Sequence, residues 1–362
     1  MTSANGGGAG RVTVLGGNGF VGAHVVRSFV ERGYQVRSAS RSGSSAGASA
    51  AQPNVEAARC DVRDARSVAD ALRGADVVVA SVVGDRRTQV DGIANVLGAL
   101  GNARLLYLST AEVYGNADGE LDESAPLLRQ GWEYSDSKIE AELSCQSAAE
   151  RGAKVTLFRP SIVYGPGAET WVVELGNKLV RRQWGTLGRF GGGTANLLFV
   201  DDLVAALHRS LETQLEPGTV FNLNGPDQVS WNEFFSLFNA ELGLPALRDW
   251  SVAEALLRAG LGQLPRGLNA LLSRLRKRSP GAGGHKLSVA PATERRSAPA
   301  RMLEALKATP RWQALTQLYP RRVVYRDERA RRLIGYAPTV SARDGVARSA
   351  AWYRAARSGQ TS

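Results

Sequence analysis

The chain has 362 residues, 43% of them hydrophobic, and a formal charge of +11 at neutral pH. This suits one large or two modest soluble domains with a substantial core, and no apolar run is long enough to span a bilayer. Two cysteines, Cys60 and Cys145, exclude a disulfide framework and point to a reducing cytoplasm, while His24, His208 and His285 lie too far apart in sequence to suggest a metal.

Residues 1–10 are small, polar and glycine-rich, and read as a disordered start rather than a signal peptide. Residues 11–15 (RVTVL) then read as a buried strand, and 21–32 as an amphipathic helix with Val25, Val26, Phe29 and Val30 on its apolar face. Between them Gly16, Gly19 and Gly22 form a G-x-x-G-x-x-G turn. A strand that ends in glycines and opens into a helix lets backbone N–H groups and the positive helix end approach a pyrophosphate. Gly16, Gly19, Phe20, Val21 and Gly22 are therefore candidate cofactor-binding residues.

The second strand, 35–39, ends at Ser40 and Arg41, about twenty residues beyond the glycines, where NAD enzymes place a carboxylate for the ribose hydroxyls. Here no acidic group opposes a 2′-phosphate. NADP is favoured over NAD if Arg41 pairs with that phosphate; the alternative is a solvated surface arginine. A low-complexity loop at 41–52 precedes the third strand, 56–59, which closes at Asp61 and Val62. Asp61 suits either the adenine amino group or a helix N-cap. The fourth strand, 76–81, ends in Ala80 and Ser81, small enough for a cofactor to lie close.

The fifth strand, 104–109, leads into Thr110, and 133–148 reads as a helix carrying Tyr134 and Lys138 four residues apart, on one face. The lysine is expected to lower the phenol's pKa and hold a ribose, so that Tyr134 exchanges a proton with a substrate hydroxyl, while Thr110 donates to the same oxygen. A sixth strand follows at 154–158. Strands alternating with helices mean an α/β chain with a doubly wound parallel sheet.

The charge is concentrated late. Residues 248–334 hold 19 Lys and Arg against 6 Asp and Glu, so the rest of the chain is near neutral. No aromatic residues interleave with the basic run 274–278, so a nucleic-acid partner is not expected. Leucines recur at helical spacing from 252 to 278, which suits either a helical lid or contact with an acidic membrane surface. A Pro/Gly/Ala/Ser linker at 279–300 follows.

The ordered motifs GGNGFVG, CDVRD, LSTAEVYG, YSDSK, FRPSIVYGPG, FVDDLVAAL and FNLNGPDQVSW resemble the NAD-dependent epimerase/dehydratase family of extended short-chain dehydrogenases/reductases, from about Arg11 to Tyr353. The resemblance implies a Rossmann-type domain over 11–165 with 197–225 returning to it. A smaller, mostly helical substrate domain would take 166–196 and 226–354, including a basic insertion at 250–300. It also implies a catalytic Thr110/Tyr134/Lys138 set, a turn beside the nicotinamide formed by Arg159, Pro160, Ser161 and Ile162, and a homodimer.

Two departures narrow the reaction. Sugar-nucleotide dehydratases of the family carry Asp-Glu after the threonine; this chain has Ala111-Glu112, which disfavours dehydration. The arginine that binds the substrate diphosphate in many members, before the FVDDL segment, is missing, leaving Arg181, Arg182 or Arg189 as substitutes. The expectation is C4 epimerisation or keto reduction of a nucleotide sugar in the cytoplasm, with Glu112, Ser161, Asn177 and Arg189 as candidate substrate residues. The leucine-rich insertion also resembles that of hydroxysteroid-dehydrogenase-like relatives, so a lipid alcohol dehydrogenase at a membrane is the first alternative. A non-catalytic NAD(P)-binding regulator is the second.

Overall fold

The computed structural model describes residues 10–43, 54–251, 254 and 314–359. The loop beyond residue 43, the leucine-rich stretch over 252–278 and the linker at 279–300 therefore fall outside the described residues, apart from Glu254. Eleven strands are described: β1 Arg11–Leu15, β2 Gln35–Ser40, β3 Val55–Arg59, β4 Val77–Ala80, β5 Arg104–Leu108, β6 Gly119–Leu121, β7 Val155–Pro160, β8 Ile162–Tyr164, β9 Leu197–Phe199, β10 Thr219–Leu223 and β11 Val323–Tyr325. The described α-helices are α1 Phe20–Glu31, α2 Ala65–Leu72, α3 Gly92–Ala99, α4 Glu133–Glu150, α5 Leu175–Val180, α6 Val200–Glu212, α7 Trp231–Glu241, α8 Glu328–Ile334 and α9 Ala342–Arg357.

Seven strands form one sheet in the order β10-β7-β5-β4-β1-β2-β3, and every neighbouring pair is parallel. β10 is the strand added to the six expected; it follows α6 after the Pro217-Gly218 turn and pairs with β7. Strand β1 shows why both faces are covered. Val12 and Val14 pack with Val25, Val26 and Phe29 of α1 and with Leu203 and Leu207 of α6. Leu15 turns to the opposite face, with Val68, Ile93 and Ala141 from α2, α3 and α4. Successive side chains of a strand point to opposite faces, so a run of apolar residues needs helices on both sides. Phe29 is 0% exposed, and burying such a ring contributes roughly 2–3 kcal/mol.

A second apolar cluster lies beyond the sheet's carboxyl edge. Trp231, Phe234, Phe235 and Phe238 of α7 pack with Leu175 and Leu179 of α5 and Val346, Ala350 and Tyr353 of α9. Helix α7 starts at Ser230, whose side chain and that of Glu233 cap each other's backbone in a capping box. Two short parallel pairs stand apart from the large sheet: β8 with β9 packs into this cluster, and β6 with β11 packs with Ala111, Val113 and Tyr114. Among the described residues no helix is long and apolar enough to cross a membrane.

Candidate functional site

Strand β1 lies between β2 and β4, where the strand order reverses. Ligands of open α/β sheets bind outside the carboxyl ends of the strands at such a point. The glycine turn occupies it. The backbone N–H groups of Gly16 and Gly17 both donate to the Ala39 carbonyl, at 2.9 and 3.3 Å, and Asn18 Nδ2 donates to Ser40 Oγ at 3.0 Å. Gly16 has φ +83, and a Cβ there would meet the Ser81 carbonyl oxygen at 2.7 Å; a Cβ on Gly22 would stand 2.1 Å from the Gly16 carbonyl oxygen. Both positions therefore require glycine. Helix α1 has no side-chain cap at Gly19 and no acidic residue in its first turn, so its first N–H groups face outward as an anion site. This backbone cradle, formed where any side chain would fill the space, fits a dinucleotide pyrophosphate.

A cleft beside the turn is lined by Leu15, Val62, Ala80, Gln89, Tyr107 and Lys138. The Tyr107 hydroxyl and Gln89 Oε1 are buried there with no hydrogen-bond partner among the described residues. Sequence reasoning missed both, since a strand tyrosine and a helix-start glutamine carry no motif. Asp61 is not a helix cap: Asp64 caps α2, accepting from the N–H groups of Arg66 and Ser67. The Asp61 carboxylate instead takes Arg63, with Nη2 at 2.7 Å, and these bonds hold its pKa down at about 2.

At the end of β5, Thr110 has extended backbone; its hydroxyl accepts from the Glu112 N–H at 3.3 Å and lies near enough to the Tyr134 phenol to lower that group's pKa. The structure thus brings these two together across 24 residues of chain, through the loop that returns into α4. Tyr134 keeps 39% of its surface exposed, yet desolvation is the largest influence on its hydroxyl and raises its pKa, with Thr110 partly offsetting it. The Lys138 Nζ donates to the Leu108 carbonyl oxygen at 2.8 Å and lies 5.0 Å over the Tyr107 ring. Desolvation brings Lys138 itself down to about 8, against the attraction of Glu142 one turn further along α4.

Glu142 is held by Arg159. The guanidinium donates through Nε to both carboxylate oxygens at 3.1 Å and through Nη2 at 2.7 Å. Arg159 Nη1 donates to the Tyr114 hydroxyl at 2.8 Å, and that hydroxyl donates to Asn222 at 2.6 Å. Arg159, within β7, therefore belongs to a buried network behind the site, and the turn between β7 and β8 lies at Ser161.

Pro160, Ser161 and Ile162 do reach a second cavity, together with Thr110, Ala111 and Glu112. Its far wall comes from Thr194, Asn196, Trp231, Leu318, Arg321 and Tyr325. Ser161 Oγ donates to Asn224 Oδ1 at 2.9 Å. Glu112 is at the cavity as expected, but its carboxylate is engaged by Arg321 at 2.5 Å. Arg321 also donates to the Gly115 carbonyl at 2.6 Å and is 7% exposed.

The other expected substrate residues lie elsewhere. Asn177 accepts from the Tyr353 hydroxyl at 2.9 Å, between α5 and α9. Arg189 is exposed and stacks on Phe190, and Arg182 donates to the Pro245 carbonyl at 3.0 Å. The buried arginine at the cavity is Arg321, 209 residues from its partner Glu112.

Residues 12–223 match the model of the NAD dependent epimerase/dehydratase family. A 2-alkyl-3-oxoalkanoate reductase of Stenotrophomonas maltophilia (strain K279a) is 25% identical over 93% of this chain and 98% of its own. A UDP-N-acetyl-alpha-D-glucosaminuronate decarboxylase of Bacillus cytotoxicus is 26% identical, covering 62% of this chain and 77% of its own. Among solved structures, the UDP-glucuronic acid 4-epimerase of Bacillus cereus, in complex with NAD, superposes with a TM-score of 0.69 at 16% identity, over 95% of this chain and 98% of that one. The family match spans more than half the chain, and the seven-stranded parallel sheet is the fold it requires: the protein is an enzyme of the NAD-dependent epimerase/dehydratase family.

Proposed function

We propose that this enzyme interconverts a secondary alcohol and a ketone on a nucleotide sugar, by C4 epimerisation or keto reduction, with Thr110, Tyr134 and Lys138 as its catalytic residues. The observation that carries this reading is that Thr110 and Tyr134 come together between the cofactor cradle and a small, partly open cavity with mixed polar and apolar walls. In this reading 11–165 and 197–225 hold the cofactor, while 166–196 and 226–354 hold the substrate. Gly16, Gly19, Phe20, Val21 and Gly22 seat the pyrophosphate; Ser40, Arg41, Asp61 and Val62 face the adenosine half; Ala80, Ser81, Pro160, Ser161 and Ile162 flank the nicotinamide.

The bound cofactor supplies the hydride acceptor or donor for the carbinol carbon. Tyr134 holds the proton of the reacting hydroxyl: its raised pKa keeps the phenol protonated at neutral pH, which suits donation to a forming alkoxide. Thr110 orients Tyr134 and donates to the same substrate oxygen. Lys138, anchored to the Leu108 carbonyl, places a cation beside Tyr107 and the ribose position. Ala111 offers no acid for a leaving hydroxyl, which argues against dehydration.

A second reading is a reductase for a hydrophobic ketone, favoured by the near full-length similarity to the 2-alkyl-3-oxoalkanoate reductase. The cofactor released from purified protein, followed by titration with UDP-glucose and then with a 3-oxoalkanoate, separates the two. Retained oxidised cofactor with epimerised sugar supports the first reading; NADPH oxidation only with the oxo acid overturns it. In either case Tyr134→Phe should lower kcat by at least about 100-fold while cofactor affinity is kept.

A further inference from the structure

Arg321 is buried, with 6% of its side chain exposed, and its guanidinium is spent on the short stretch of chain that follows Thr110. Nη2 donates to Glu112 Oε1 at 2.5 Å, and Nη1 donates to the Gly115 carbonyl oxygen at 2.6 Å. These acceptors belong to the turn Ala111–Tyr114 and to the residue that closes it, and the turn opens at Thr110. Inside the same turn the Glu112 N–H donates to the Thr110 hydroxyl at 3.3 Å.

The backbone that carries Arg321 is tied on both sides. The Arg321 carbonyl accepts from the Thr194 N–H, and the Arg322 carbonyl from the Gly119 N–H, both at 2.9 Å. The Arg322 N–H donates to Asp118 Oδ1 at 2.9 Å. A Cβ on Gly193 would stand 2.4 Å from the Arg321 carbonyl oxygen, so the two segments meet without space between them. A guanidinium delivered this way offers its N–H groups in one fixed fork.

The carboxylate it meets matters because of where it stands. Glu112 lines the cavity together with Thr110, and its negative charge opposes ionisation of the Tyr134 phenol. A like charge disfavours the charged form of a neighbouring group, and a cation seated on that like charge removes much of the penalty. Asp118 and Tyr325 also face Arg321. Burial pushes the Tyr325 phenol up and keeps it neutral, while Asp118 is held by the Arg322 N–H.

We propose that Arg321 is a positioning residue that acts through Glu112: it holds the turn beside Thr110 and cancels the carboxylate's charge next to Tyr134. The proposal rests on the reading of Thr110 and Tyr134 as catalytic residues, and it assigns the control of their electrostatics to a residue from the far end of the chain.

Tyrosinate absorbance, titrated with base in the full chain and corrected by the same titration of its Tyr134→Phe counterpart, reads this phenol by itself and needs no substrate. Arg321→Met should raise the Tyr134 midpoint by about 0.5 to 1 on the pH scale. Glu112→Gln, which leaves the guanidinium without its countercharge, should lower it by a similar amount. Arg321→Lys, and Arg321→Met combined with Glu112→Gln, should both return to within about 0.3 of wild type. A lower Tm for Arg321→Met with an unmoved midpoint would make the arginine a structural tie only, and the proposal would fall. Equal midpoints throughout, or no titration in any of these proteins before alkaline unfolding, would also overturn it. If Arg321→Met does not fold, Glu112→Gln decides by itself, because the amide keeps the shape and an acceptor oxygen. Each of these failures leaves the catalytic reading intact. Undiminished turnover of UDP-glucose or of the 3-oxoalkanoate by Tyr134→Phe would end that reading, and this role with it.

Discussion

Lys138 allows a direct measurement of what burial does to a charge. It is 3% exposed, and it titrates at about 8 in the folded chain against an ordinary 10.5. Between those values the unfolded chain binds a proton that the folded chain does not. Stability must therefore rise with pH across that interval and level off above it. The separation is about 2.5 on the pH scale, which corresponds to at most ~3 kcal/mol.

Replacing Lys138 by Met keeps much of the stem's packing and removes the titration. The assay is urea unfolding of both proteins from about pH 7.5 to about pH 10.5, with the stability difference plotted against pH so that all other groups cancel. Wild type should gain on Lys138→Met by up to ~3 kcal/mol over that range, above a constant offset for the lost bond to the Leu108 carbonyl. A flat difference would refute the reasoning, because it would mean that folding costs the ammonium nothing. Adding Glu142→Gln should move the rise to lower pH, since the attraction that partly restores the proton is gone.

Gly22→Ala would place a Cβ 2.1 Å from the Gly16 carbonyl oxygen; titration of NADH fluorescence should show a loss of affinity of about 10-fold or more, because the cradle can no longer close. Glu142→Leu strands the Arg159 guanidinium, which has 6% side-chain exposure, and should cost about 3–5 kcal/mol in urea unfolding; Glu142→Leu with Arg159→Met should recover much of it. Arg41→Ala should lower affinity for NADPH relative to NADH by roughly 5- to 10-fold if the guanidinium pairs with the 2′-phosphate, and an unchanged ratio would mark Arg41 as ordinary surface charge.

The chain's own sequence determined the parallel sheet, the glycine turn and the positions of Thr110, Tyr134 and Lys138. These depend on local pattern: strand runs, a helix face with spacing of four, and glycines where a side chain would collide. Local spacing did not reveal that Lys138 is anchored to the Leu108 carbonyl, because that partner lies on a strand 30 residues away. Only the tertiary structure decided that Asp64, rather than Asp61, caps α2, that Arg159 faces Glu142, and that Asn177 and Arg189 lie away from the cavity. It alone brought Arg321, Trp231 and Tyr325 to Thr110. Those three come from segments more than 100 residues further along the chain, and no periodicity or spacing links residues whose only connection is a shared cavity wall. Local chemistry is written along the chain, while a pocket is assembled from whatever distant side chains the packing of helices and strands leaves facing one another.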